Sequence, residues 1–150
     1  MPQGEHTVVV GAPIHKVWEF VAEMDKWAPL VPGYITHEIL SDSRSNWIFT
    51  GDLGIMKKKI KLQVDITEWL EPEKVTFNLT GLNDNFSGSG FFRAEKITDT
   101  TTRMTGFLDI IQNGILAAVV NPVLKSFVPE TAAALTEAMG KELTAQIARR

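Results

Sequence analysis

The chain is 150 residues long, has no cysteine, and carries 15 basic against 18 acidic side chains, for a formal net charge of −3. Apolar residues make up 44% and charged residues 22%, the composition of one ordinary globular domain. These figures exclude a disulfide framework, thiolate metal sites, iron–sulfur clusters and a cysteine nucleophile, and they argue against a nucleic-acid partner. No apolar run approaches the roughly 18–20 residues of a membrane span, and the first residues show no secretory-signal pattern. A single cytoplasmic domain over residues 1–150 is the expectation.

Residues 5–11 are rich in β-branched side chains and predict a first strand. Pro13 stands at a first helical position, and Ile14, Val17, Trp18 and Val21 follow at helical spacing, which predicts a short amphipathic helix. A second short helix is predicted over 24–31, ended by Pro32-Gly33. Strands are predicted over 34–41 and 46–56. Over 59–67, Ile60, Leu62, Val64 and Ile66 alternate with polar residues, the mark of a half-buried strand. The same alternation places Val75, Phe77 and Leu79 on one face of 74–81. It places Phe86, Gly88, Gly90, Phe92 and Ala94 on one face of 86–98. In 102–112 it sets Met104, Gly106, Leu108 and Ile110 opposite Arg103, Thr105 and Asp109. Glu71-Pro72-Glu73, Asn83-Asp84-Asn85 and 98–101 separate these strands as short turns.

The last 35 or so residues change to a helical stripe. Leu116, Val120, Val123, Leu124 and Phe127 lead into Val128, Ala132, Leu135, Met139 and Leu143. Pro122 and Pro129 predict a kink or two consecutive helices, the second about 30 Å long. The expected fold is α+β, with about seven strands in a curved antiparallel sheet wrapped around a long C-terminal helix. Two short helices fall between the first two strands. Glycines at 51, 54, 81, 88, 90 and 106 suit a strongly bent sheet.

This order resembles the START-like, or helix-grip, superfamily, also called SRPBCC. Ala-Pro-Ile-His-Lys-Val-Trp-Glu-Phe-Val at 12–21 is similar to its strand-to-helix opening. Met-Asp-Lys-Trp-Ala-Pro-Leu-Val-Pro-Gly-Tyr at 24–34 is similar to the carbon monoxide dehydrogenase branch of that superfamily, the one typified by a small accessory component of the enzyme. Gly54-Ile55-Met56, Asp65-Ile66-Thr67-Glu68, Gly88-Ser89-Gly90 and Thr102-Arg103-Met104-Thr105 fit the same branch. The resemblance implies a hydrophobic small-molecule ligand (quinone-, lipid- or polyketide-like) in a cavity between sheet and helix, and an accessory role to a redox enzyme. An enzyme of the cyclase, dehydratase or hydrolase type using the same cavity is one alternative, and a protein-interaction module is another.

The residues expected to line that cavity are Trp27, Leu30, His37, Leu62, Val64, Phe77, Leu79, Gly90, Phe92, Met104, Leu108, Leu116, Val120, Leu124 and Phe127. The competing reading is that these side chains simply fill a core. His37 is the candidate for polar or catalytic work, because Ile35 and Ile39 flank it at period two. A carboxylate partner for it is sought in Asp109 or Glu38. Trp27 borders the expected cavity mouth, as a ring-stacking gate or a hinge-packing side chain. Histidine spacing offers no metal site, Gly88 to Phe92 lacks the lysine and helix of a phosphate loop, and no cofactor is expected. Lys57, Lys58, Lys59 and Lys61 form the one charge run. It suits an acidic protein partner or peripheral contact with an anionic membrane, or else a solubilising strand face.

Overall fold

The computed structural model describes residues 2–52, 57–82 and 85–148, and side chains from 59 rather than 57 in the second stretch. The Gly54-Ile55-Met56 motif, the Lys57 and Lys58 side chains and Asn83-Asp84 therefore lie outside the described residues. Seven strands form one antiparallel sheet: β1 (Gln3–Val10), β2 (Tyr34–Ile39), β3 (Arg44–Asp52), β4 (Lys57–Leu70), β5 (Lys74–Gly81), β6 (Phe86–Thr98) and β7 (Thr101–Gln112). Their order is β1-β7-β6-β5-β4-β3-β2, so the first two strands in sequence occupy opposite edges. The connection between them must cross the whole sheet. It does so as α1 (Ile14–Ala22), α2 (Met24–Trp27) and a 3₁₀ turn (Ala28–Leu30). Gly33, at φ 78°, turns the chain into β2. A Cβ there would collide with the Thr50 carbonyl oxygen.

The predicted faces hold. Ile60, Leu62, Ile66, Val75, Leu79, Phe86, Phe92, Ala94 and Met104 are all buried on the concave side. Thr105 departs from expectation: it lies on the other face and is nevertheless buried, its hydroxyl 2.9 Å from that of Thr7 on the neighbouring strand.

The C-terminal segment is one helix, α3 (Ala117–Ala148), with Pro122 and Pro129 inside it. At about 48 Å it runs past the full width of the concave face. The expectation of two consecutive helices is corrected here. Val120, Leu124 and Val128 bury in one apolar cluster, and Leu135, Met139 and Leu143 in a second. The helix is thus anchored on both sides of Pro129, against the local loss of a backbone bond.

Small residues decide where α3 sits. A Cβ at Gly4 of β1 would strike the Pro129 backbone. One at Gly106 of β7 would strike the Thr136 hydroxyl. One at Gly140 would stand 3.2 Å from Val8 Cγ2. Residues 129, 136 and 140 share one face of the helix. That face is drawn tight onto β1 and β7, so the helix leans to one side and a gap stays open towards β3, β4 and β5.

Candidate functional site

The gap is a cavity of about 120 Å³. The sheet contributes Trp47 and Phe49 from β3, Leu62, Val64, Ile66 and Trp69 from β4, Val75, Phe77 and Leu79 from β5, Phe92 from β6, and 106–108 and Ile110 from β7. Val21, Met24, Trp27 and Val31 close one end. Helix α3 supplies Phe127, Val128, Thr131, Ala132, Leu135 and Thr136. None of these described lining residues is ionisable. The side chain of Phe107 stacks instead on Phe91 across the convex face, with ring centroids 5.1 Å apart.

An aromatic column braces the end formed by α2. Trp47 lies between two rings, each inclined to it by 25°: His37 at 5.0 Å and Trp27 at 5.6 Å. Trp27 meets Phe92 edge-on at 5.5 Å, and Phe92 meets Phe77 at 6.3 Å. Both inner indoles are hydrogen-bonded. Trp27 Nε1 donates to the Val21 carbonyl and Trp47 Nε1 donates to Ser45 Oγ, each at 2.9 Å. With their polar atoms satisfied, the two rings present only apolar surface to the cavity.

His37 stands behind this wall. The β2–β3 pairing slips between Tyr34 and Thr36, so Tyr34 opposes Phe49 while His37 opposes Trp47. Both then face the concave side although they are three residues apart. Their side chains share a 2.6 Å hydrogen bond at His37 Nδ1. His37 Nε2 lies 2.7 Å from Asp25 Oδ1. An ionised carboxylate only accepts, so Nε2 carries the proton and, in the neutral ring, Nδ1 accepts from the Tyr34 hydroxyl. The carboxylate partner is thus Asp25 of α2 rather than Asp109 or Glu38. Asp25 was not a candidate because only the crossing connection brings α2 to the β2 edge. The side chain of His37 is 10% exposed and that of Asp25 is 75% exposed.

Of the residues expected to line the cavity, Trp27, Leu62, Val64, Phe77, Leu79, Phe92, Leu108 and Phe127 do so. His37 reaches it only through Trp47. Gly90 makes room for the Phe77 ring, and Met104 is fully buried in the core beneath α1. Val120 and Leu124 are buried in the second apolar cluster. Leu30 packs on the first cluster, and Leu116 is 48% exposed in the turn before α3. The lining residues not anticipated come chiefly from β3 and α3. Their signal was present: Trp47 and Phe49 alternate in a strand, and Val128, Ala132 and Leu135 belong to the helical stripe.

Away from the cavity, Arg44 Nε donates to Asp65 Oδ1 at 2.7 Å. That bond holds the Asp65 carboxyl below the ordinary carboxylate range. Partial desolvation opposes it and a Gln63 hydrogen bond assists. Among the described residues no cluster of three or more His, Asp or Glu forms a metal site. No helix among them is long and apolar enough to cross a membrane.

A curved seven-stranded sheet closed over one long helix, with an apolar space between them, defines a helix-grip protein. Residues 1–147 match one family model, so the chain belongs to a single family along nearly its whole length, and its fold is START-like. A START superfamily protein from Mycobacterium smegmatis superposes with a TM-score of 0.77 at 16% identity, covering 96% of this chain and 98% of that one. A conserved protein from Geobacillus kaustophilus gives 0.80 at 15% identity, covering 96% of each. The Zhui aromatase/cyclase from Streptomyces sp. R1128 gives 0.75 at 20% identity, covering 97% and 94%. No curated protein matches the chain in sequence.

Proposed function

We propose that this protein binds a hydrophobic small molecule between the sheet and α3, and carries it rather than transforming it. The observation behind this reading is a cavity of about 120 Å³ whose described lining holds no ionisable group. Burial of ligand apolar surface supplies about 25 cal/mol per Å² before ordering costs. Proton transfer needs a titratable group within hydrogen-bond reach of the reacting atom. The nearest candidate here, His37, is screened by Trp47. The fold shared with a START superfamily protein and an aromatase/cyclase supports a ligand-holding role. A finer placement, in the carbon monoxide dehydrogenase branch with an accessory role to a redox enzyme, rests on the residues at 12–21 and 24–34.

Native mass spectrometry of the purified protein, with solvent extraction of whatever travels with it, tests the proposal. The expected result is an apolar passenger of defined mass, or a rise in melting temperature across a panel of ring compounds. No passenger and no shift would overturn it.

One observation favours a catalytic reading instead. The Asp25–His37–Tyr34 chain, at 2.7 and 2.6 Å, can move a proton onto or off the Tyr34 oxygen. Opening of α2 would be needed to bring that oxygen to a ligand. Turnover of a bound ligand that disappears in both His37→Gln and Tyr34→Phe would establish this reading over carriage.

A further inference from the structure

The stripe of α3 that faces the cavity is apolar except at Thr131 and Thr136. Phe127, Thr131 and Leu135 succeed one another at four-residue spacing, so the Thr131 hydroxyl projects into the wall between two apolar side chains. The neighbouring hydrogen-bonding groups are engaged. Thr136 Oγ1 donates to the Ala132 carbonyl at 2.7 Å, and the Trp27 and Trp47 indoles have the partners given above. Trp69 is 41% exposed at the rim, where water competes for its N–H. Among the described lining residues, Thr131 Oγ1 is the inward hydroxyl with its donor uncommitted.

We infer that Thr131 is the specificity-determining polar group of this cavity, and that the ligand is a neutral, rigid ring compound with one carbonyl or hydroxyl oxygen placed on Thr131 Oγ1. The inference rests on the binding reading above and names the ligand class for it. A hydroxyl in an apolar wall is costly while unpaired, and a ligand oxygen removes that cost. An ionised ligand group would give up water for a wall without a described counter-charge. The size agrees with a ring: an apolar protein cavity of roughly 150 Å³ accepts one aromatic ring, whereas an extended acyl chain does not fit. A largely apolar site with a few placed polar groups is the usual build of a small-molecule pocket.

Calorimetric titration of the whole protein with three matched probes tests this: indane, 1-indanone and indane-1-carboxylate at neutral pH. Indane and 1-indanone are expected to bind, and the carboxylate at least about thirtyfold more weakly than the ketone. Thr131→Val is expected to weaken 1-indanone about tenfold, the worth of one neutral hydrogen bond, while indane changes less than about threefold. Indane binding to the Val variant also shows that its cavity is intact. Thr131→Ser, which keeps the hydroxyl, should restore the ketone. Equal weakening of ketone and hydrocarbon, no weakening of either, or a carboxylate that binds as tightly as the ketone would overturn the inference while leaving the cavity as a binding site. Failure of both indane and 1-indanone to bind the unmodified protein would overturn the binding reading and this inference with it.

Discussion

Gly90 offers the sharpest test of how the cavity is kept open. It lies on β6 opposite Leu108 of β7 and Phe77 of β5. A Cβ there would stand 2.5 Å from the Phe107 carbonyl oxygen and 2.6 and 2.7 Å from two ring carbons of Phe77. Comfortable contact is about 3.5 Å, so each overlap is about 1 Å. The carbonyl belongs to β7, which is paired on both sides by β1 and β6 and cannot withdraw without disturbing a ladder. The ring can tilt, but only into the cavity. Overpacking of this kind costs about 3 kcal/mol, and the reduced freedom of the unfolded chain returns about 0.4–1 kcal/mol. The net loss for Gly90→Ala is therefore about 2 kcal/mol, or a fall of about 1 M in the urea midpoint at a slope of about 2 kcal/mol/M. The same variant should lose affinity for 1-indanone as the Phe77 ring is displaced. Gly51→Ala is the control. Its Cβ would meet Ile60 Cδ1 at 2.7 Å, the free end of a rotatable side chain, with the Phe127 ring at 3.8 Å. It should cost less than about 1 kcal/mol and be relieved further by Ile60→Val. If Gly51→Ala lowers the midpoint as far as Gly90→Ala, the distinction between a fixed carbonyl and a yielding side chain is wrong.

Other consequences can be measured on the same protein. Trp27→Leu removes the stack on Trp47, the edge contact with Phe92 and the bond to Val21, and should cost about 3 kcal/mol by urea denaturation. A loss under about 1 kcal/mol would show that α2 is not a structural wall of the cavity. Asp25→Asn should cost less than about 1 kcal/mol, since its carboxylate is 75% exposed; a larger loss would mark the contact with His37 as a main anchor of α2. Arg44→Gln removes the main cause of the lowered Asp65 pKa. Because that pKa is depressed in the folded state, the pair stabilises above the ordinary carboxylate pKa, and the benefit fades as pH falls through the lowered one. The gap in urea midpoint between the native protein and Arg44→Gln, worth less than about 1 kcal/mol at neutral pH, should narrow between about pH 4 and pH 2. A gap that widens on acidification would refute the assignment.

Residues 60–66, 75–79 and 86–94 show how much of this protein is written locally. A strand repeats every two residues, so alternation alone placed Leu62, Val64, Phe77, Leu79 and Phe92 on the concave face that now lines the cavity. The helical stripe after Leu116 likewise announced α3, and the order of elements led to the helix grip. What alternation could not supply is the offset between segments far apart in sequence. The side to which α3 leans depends on Gly4 meeting Pro129 and Gly106 meeting Thr136, contacts that no local period encodes. The slip between Tyr34 and Thr36 turns Tyr34 and His37 to one face, and the sheet-spanning connection then delivers Asp25 to that imidazole. Local pattern was enough to say which residues are apolar and which way each strand faces, because both follow from backbone period and side-chain chemistry. That the apolar residues enclose a space instead of filling it came from packing in three dimensions, because a cavity is the mismatch left when rigid elements are held apart by their closest contacts.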